Sequence, residues 1–98
     1  RGAAGLHPGI ARWLRDRNAA ALGGDAASDP SPSLVAGVSE PLHQLALVSM
    51  GMPLFDNLAL EELAAVAAER NQWTFHFIAA PLPLQRASGS LVNALAVF

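Results

Sequence analysis

Ninety-eight residues and 10.2 kDa leave room for one small domain, and for neither a second domain nor a large catalytic scaffold. Hydrophobic residues make up 52% and charged ones 14%, which is too apolar for a disordered tail, so part of this apolar surface is expected to meet another chain segment or subunit. The net charge is −2, the basic residues are six scattered arginines, and cysteine is absent, so the electrostatic footprint of nucleic-acid binding, disulfides and thiolate chemistry are all missing.

No apolar run reaches the roughly 20 residues that span a bilayer, and no signal-peptide pattern follows Arg1. No membrane or nucleic-acid partner is expected, and cytoplasmic localisation is the default expectation. Because the first residue is Arg1 and not Met, the chain is expected to be a portion of a longer protein.

Along the chain, GIARWLRDRN (9–18) places Ile10, Trp13 and Leu14 at helical spacing, with Pro8 suited to the first turn. Ala19 to Leu22 reads as a short buried strand running into Gly23-Gly24. Residues 25–42 carry Pro30, Pro32, Pro41, Gly37 and several Ser and Asp, and are expected to form a long surface loop, either the rim of a site or a flexible linker. Pro41 can open a helix at its first position, with His43 in the first turn, Ala46, Leu47 and Met50 at helical spacing and Gly51 as the stop.

Met52 to Phe55 is a strand candidate closed by Asp56-Asn57. Leu60 to Arg70 is the clearest helix, with Glu61 and Glu62 in the first turn and Arg70 in the last, matching the helix dipole. Trp73 to Leu82 alternates as a strand with Trp73, Phe75 and Phe77 on one face, and Leu91 to Phe98 reads as the last strand after a polar turn at 85–90. The expected class is mixed α/β (α+β), a single unit with about three helices and four short strands.

The residue types able to bind metal or move protons are His7, His43 and His76 with Asp25, Asp29, Glu40 and Asp56. None forms a tight local motif. A helix running one way and a strand returning would bring His43 and Asp56 to the same end of the layer, as two ligands or simply as a helix His and a turn Asp. His76 reads as a sheet residue and His7 as a helix-start residue. The serines lie in no nucleophile elbow, and Gly23-Gly24 opens no phosphate-binding pattern.

HQLALVSMGMPLFDNLALEEL followed by FHFIAAPLPLQRASGSLVNALAVF resembles the C-terminal part of the cyclase-like metal-dependent hydrolases, the family that includes bacterial kynurenine formamidase. The shared features are a His opening a helix that ends in a Gly-apolar pair, the Asp56-Asn57-Leu58 step, a strand ending in Ala80-Pro81-Leu82, and the Gly89-Ser90 turn. Upstream, ARWLRDRNAAALGGDAASD is similar to the family's helix, strand and Gly-x-Asp segment, with Gly23, Asp25 and Ser28 at matching places.

The resemblance implies a layered fold around a β-barrel-like sheet, often dimeric, so that a homo-oligomer is expected. It implies His43 as an active-site histidine, and His43 with Asp56 as part of a metal centre holding Zn²⁺ or Mn²⁺, which would activate water for attack on a small-molecule amide or ester. The family's usual acid is Glu. Asp is one methylene shorter, withdraws the carboxylate by about 1.5 Å, and so requires backbone adjustment to bind metal.

The family's signature HxGTHxDxP lies upstream of the matched region and is not in these ninety-eight residues. The chain alone is therefore expected to be inactive. The full-length parent would be an amidohydrolase resembling arylformamidase, which hydrolyses N-formylkynurenine in tryptophan catabolism, with the missing ligands supplied by an upstream segment or another subunit. The alternative is a non-catalytic relative acting as a structural or interaction subunit through Trp73, Phe75 and Phe77.

Overall fold

The computed structural model describes residues 2–98. Their fold is mixed α/β, with three helices and four short strands in two separate two-stranded sheets, and neither sheet closes into the barrel that the resemblance implies. The chain divides into two compact units, the first ending at Leu58 and the second spanning Ala59–Phe98.

In the first unit, helix α1 (Ile10–Asp16) buries Ala11 and Leu14 and stops where Asn18 turns left-handed (φ 52°), a conformation that Asn tolerates at a helix end. Trp13 shares the helix but not the core: it is half exposed, with the Arg17 guanidinium 4.0 Å from its ring centroid. Strand β1 (Leu22–Gly23) pairs in parallel with β2 (Leu54–Phe55), Leu22 opposite Leu54 and Gly23 opposite Phe55.

A parallel pair needs a crossover. Here it consists of the proline-rich segment and helix α2 (Pro41–His43), which widens into a π-helical stretch, Gln44–Ser49, and ends at left-handed Gly51 (φ 62°). The sequence reads this as one regular helix, whereas only its first turn is α-helical. Ala46 projects from the π-helical stretch into a core with Leu14 and Met52, and Ile10, Ala19, Leu22, Met50 and Leu54 pack around it. Leu42 is completely buried.

The N-terminal segment straps the start of the long loop through Ala3–Ser31 backbone bonds (2.8 and 3.0 Å) and Leu6 N–H donating to the Ser28 carbonyl (2.8 Å). Gly5 lies so close that a Cβ there would be 2.3 Å from the Pro30 nitrogen.

In the second unit, α3 (Glu61–Arg70) carries its acids first and its arginine last, and left-handed Asn71 (φ 49°) closes it with N–H bonds to the Ala67 and Ala68 carbonyls. Strands β3 (His76–Ile78) and β4 (Leu95–Val97) pair antiparallel, with Phe77 opposite Ala96. Both strands are shorter than the alternation suggests. Pro81 and Pro83 remove ladder donors, and Leu82 N–H bonds the Ser90 hydroxyl (2.9 Å) instead of a strand. Phe75 packs on Phe98 with centroids 5.6 Å apart, and the Arg70 guanidinium lies 5.5 Å from the Phe98 centroid. No helix of the described residues is long and apolar enough to cross a membrane.

Candidate functional site

Parallel pairing points the C-terminal ends of β1 and β2 the same way, so the chain leaving β1 and the residue leaving β2 meet at one end. Three backbone bonds lace them together: Gly24 N–H to Phe55 O (3.0 Å), Leu58 N–H to Gly24 O (2.8 Å) and Asn57 N–H to Ala26 O (3.2 Å). Asp56 follows β2 directly, and left-handed Asn57 (φ 56°) turns the chain away after it. This lacing brings Ser28 to Asp56: the Ser28 N–H and Oγ–H both donate to Asp56 Oδ1, at 3.0 and 2.5 Å.

The next residue, Asp29, reaches in another direction. No side chain of Glu40 caps α2. Asp29 does so instead, its Oδ1 accepting from Leu42 N–H (2.8 Å) and its Oδ2 from His43 N–H (2.9 Å). The same Oδ2 meets the His43 ring at Nδ1 (2.7 Å), and on the other side of the ring Nε2 meets Asp56 Oδ2 (2.8 Å). The result is a continuous line, Asp29–His43–Asp56–Ser28. The Asp29 side chain is only 4% exposed, and those of His43 and Asp56 are 23% and 22% exposed. Every buried side-chain polar atom among the described residues has a partner.

An ionised carboxylate can only accept, so a ring donating to both aspartates carries both protons. Burial works against that charge, but the hydrogen bonds to Asp29 and Asp56 and the charges of the two carboxylates together outweigh it and hold the His43 pKa above 6.5. For Asp29, burial opposes ionisation, and the bonds from the His43 side chain and from the Leu42 and His43 amides, with the charge on His43, overcome it and hold the carboxyl below 3.8.

The structure therefore places His43 and Asp56 in direct contact, despite the shorter Asp side chain. The other candidates lie elsewhere: His7 accepts from Gly9 N–H (3.0 Å) at the start of α1, His76 is exposed in β3, and Asp25 and Glu40 are exposed. Ser28 and Asp29 are the members whose roles residue-type reasoning missed. Their signal was faint: a Ser-Asp step before Pro30, with Asp29 thirteen residues upstream of Leu42 in a helix that has no local side-chain cap.

Two donor atoms bound to one ion at about 2.0–2.1 Å lie roughly 2.8–3.4 Å apart. His43 Nε2 and Asp56 Oδ2 lie 2.8 Å apart, at the short end of that range, but through a direct hydrogen bond, so an ion shared by both would have to displace the proton and turn both groups toward it. They supply no more than one edge of a metal centre, since among the described residues no group of three or more His, Cys, Asp or Glu is arranged to hold an ion. An open cleft of about 270 Å³ lies beside Ser28, between Ala4–Leu6 and Leu22–Ser28. The larger hollow, about 430 Å³ beside Arg15, Asn18 and Met50, contains no member of the site.

Comparison with protein-family models, with curated proteins and with solved structures gives no match for this chain.

Proposed function

We propose that this chain is a portion of a metal-dependent amidohydrolase resembling arylformamidase, acting in the cytoplasm on N-formylkynurenine or a related small amide or ester. The observation that carries the reading is the contact between His43 Nε2 and Asp56 Oδ2 with Asp29 behind the ring, the carboxylate–histidine arrangement that orients metal ligands. A bound Zn²⁺ or Mn²⁺ would supply Lewis acidity toward water and the scissile carbonyl. This chain would supply two ligands, His43 through Nε2 and Asp56 through Oδ2. The remaining ligands come from an upstream segment or another subunit.

Metal binding that requires these residues raises the unfolding midpoint, by about 2.7 kcal/mol of stability at a hundredfold excess over Kd. The test is thermal unfolding of the chain with Zn²⁺ or Mn²⁺ and with chelator. The midpoint rises with metal, and His43→Ala and Asp56→Ala abolish the rise. In a form that carries HxGTHxDxP, His43→Ala lowers N-formylkynurenine turnover by at least roughly 100-fold. Unchanged turnover sinks the reading.

A second reading, a structural or interaction subunit, is favoured by a specific observation: the unit Ala59–Phe98 leaves Trp73 66% exposed and Leu91 86% exposed, with Phe77, Leu82 and Leu84 also exposed. It predicts concentration-dependent self-association by sedimentation, weakened by Trp73→Ser, and a midpoint indifferent to metal and chelator.

A further inference from the structure

We propose that Ser28 and Asp29 are the positioning residues of the His43–Asp56 edge, a two-headed clamp within one dipeptide. Asp29 fixes the His43 ring through Nδ1, which leaves Nε2 as the nitrogen facing Asp56, and Ser28 fixes the Asp56 carboxylate by Oδ1, which leaves Oδ2 as the oxygen facing His43. The purpose of the clamp rests on the metal-hydrolase reading, whereas its geometry does not.

Each half of the clamp is a double grip on a single oxygen. Asp29 Oδ2 takes both the backbone N–H (2.9 Å) and the ring Nδ1–H (2.7 Å) of His43, which fixes the side-chain torsions between those two points. Asp56 Oδ1 takes both the N–H (3.0 Å) and the Oγ–H (2.5 Å) of Ser28. A helix cap alone would need only the two amide contacts to Leu42 and His43, so the ring contact is additional to capping. The Ser28 hydroxyl is bonded to a carboxylate and not to His43, which removes it as a nucleophile activated by that histidine.

Two carboxylates compete for the last proton of the neutral ring. Asp29 is the more deeply buried of the two and its charge therefore the less screened, so it holds the proton on Nδ1. With Asp29 made neutral, the remaining charge on Asp56 draws the proton to Nε2, the atom that must be bare to meet a metal.

The test uses the ¹⁵N-labelled full chain without metal, reading the tautomer of the neutral His43 ring from its nitrogen shifts. Nδ1–H is expected in the wild type and Nε2–H in Asp29→Asn, with the backbone amide spectrum otherwise retained. An Nε2–H ring in the wild type, or an unchanged tautomer in Asp29→Asn, overturns the clamp. If Asp29→Asn does not fold, the wild-type tautomer still decides.

A parallel titration with Zn²⁺ alone is expected to show affinity about 10- to 100-fold weaker in Asp29→Asn and roughly tenfold weaker in Ser28→Ala, with recovery in Ser28→Thr. Equal Zn²⁺ affinity in wild type and variants overturns the clamp. A wild type that binds no Zn²⁺ counts against the hydrolase reading, and the tautomer then judges the clamp by itself.

Discussion

Ala11, Leu14, Leu42, Ala46 and Met52 are buried in the unit ending at Leu58, as are Ser28 and Asp29, whereas Ala67 is the buried apolar residue of Ala59–Phe98. The contrast is one of mechanism. The first unit surrounds an ionic line with apolar side chains, and low local dielectric strengthens a polar network only when every member is satisfied, as here. The second unit has well-formed local elements, a dipole-matched helix and a short hairpin, with little apolar burial of its own among the described residues. Local propensity can thus shape a helix and a ladder, but a polar site in one geometry needs a core around it.

The largest expected effect comes from the core. Leu42→Ala should destabilise the first unit by about 2–5 kcal/mol, read in urea from Trp13 in a Trp73→Phe background. Leu91→Ala, read from Trp73 in a Trp13→Phe background, should stay within about 0.5 kcal/mol. Equal losses at the two positions would erase the comparison.

Next comes the network. Asp29→Ala leaves the Leu42 and His43 amides without their acceptor and should cost roughly 2–4 kcal/mol in the first unit. A loss under about 1 kcal/mol would mean that water replaces the carboxylate and that the line contributes little to the fold.

The smallest effect sharpens the comparison through pH. His43 has a raised pKa in the folded state, so its contribution is fully present below about 6.5 and is lost as pH rises through the folded value. Asp29 has a lowered pKa, so its contribution is present above about 3.8 and is lost as pH falls through the folded value. The Trp13-monitored stability should therefore be greatest between those limits. His43→Gln should flatten the alkaline limb, and an alkaline limb that persists in that variant would assign it to another group.

Much of this arrangement was legible from residues alone. The acid-first, arginine-last order of Glu61–Arg70 marks α3, and Pro41 marks the start of α2. The helix-then-strand order bringing His43 toward Asp56 was visible because both residues flank short, well-punctuated elements. The proline-rich stretch at 25–42 is irregular, as its composition indicates, but its Ser28–Asp29 step is buried. That burial could not be read, because it depends on a two-residue parallel pairing and on a cap from thirteen residues away, neither of which leaves a local periodicity. The π-helical widening after His43 and the shortening of β3 and β4 were hidden for the same reason: hydrophobic spacing reports which face is apolar, not which carbonyl each amide chooses.

Gly5 extends the reach of the site well beyond its members. Because a Cβ at that position would sit 2.3 Å from the Pro30 nitrogen and 2.8 Å from the Asp29 carbonyl oxygen, any side chain there must push the segment that carries the His43 cap. A mutational scan would then record Gly5 as intolerant, with a phenotype indistinguishable in kind from damage at Asp29, although glycine offers no functional group at all. The map of sensitive positions is wider than the map of chemistry, and its outlying member is a residue whose contribution is empty space.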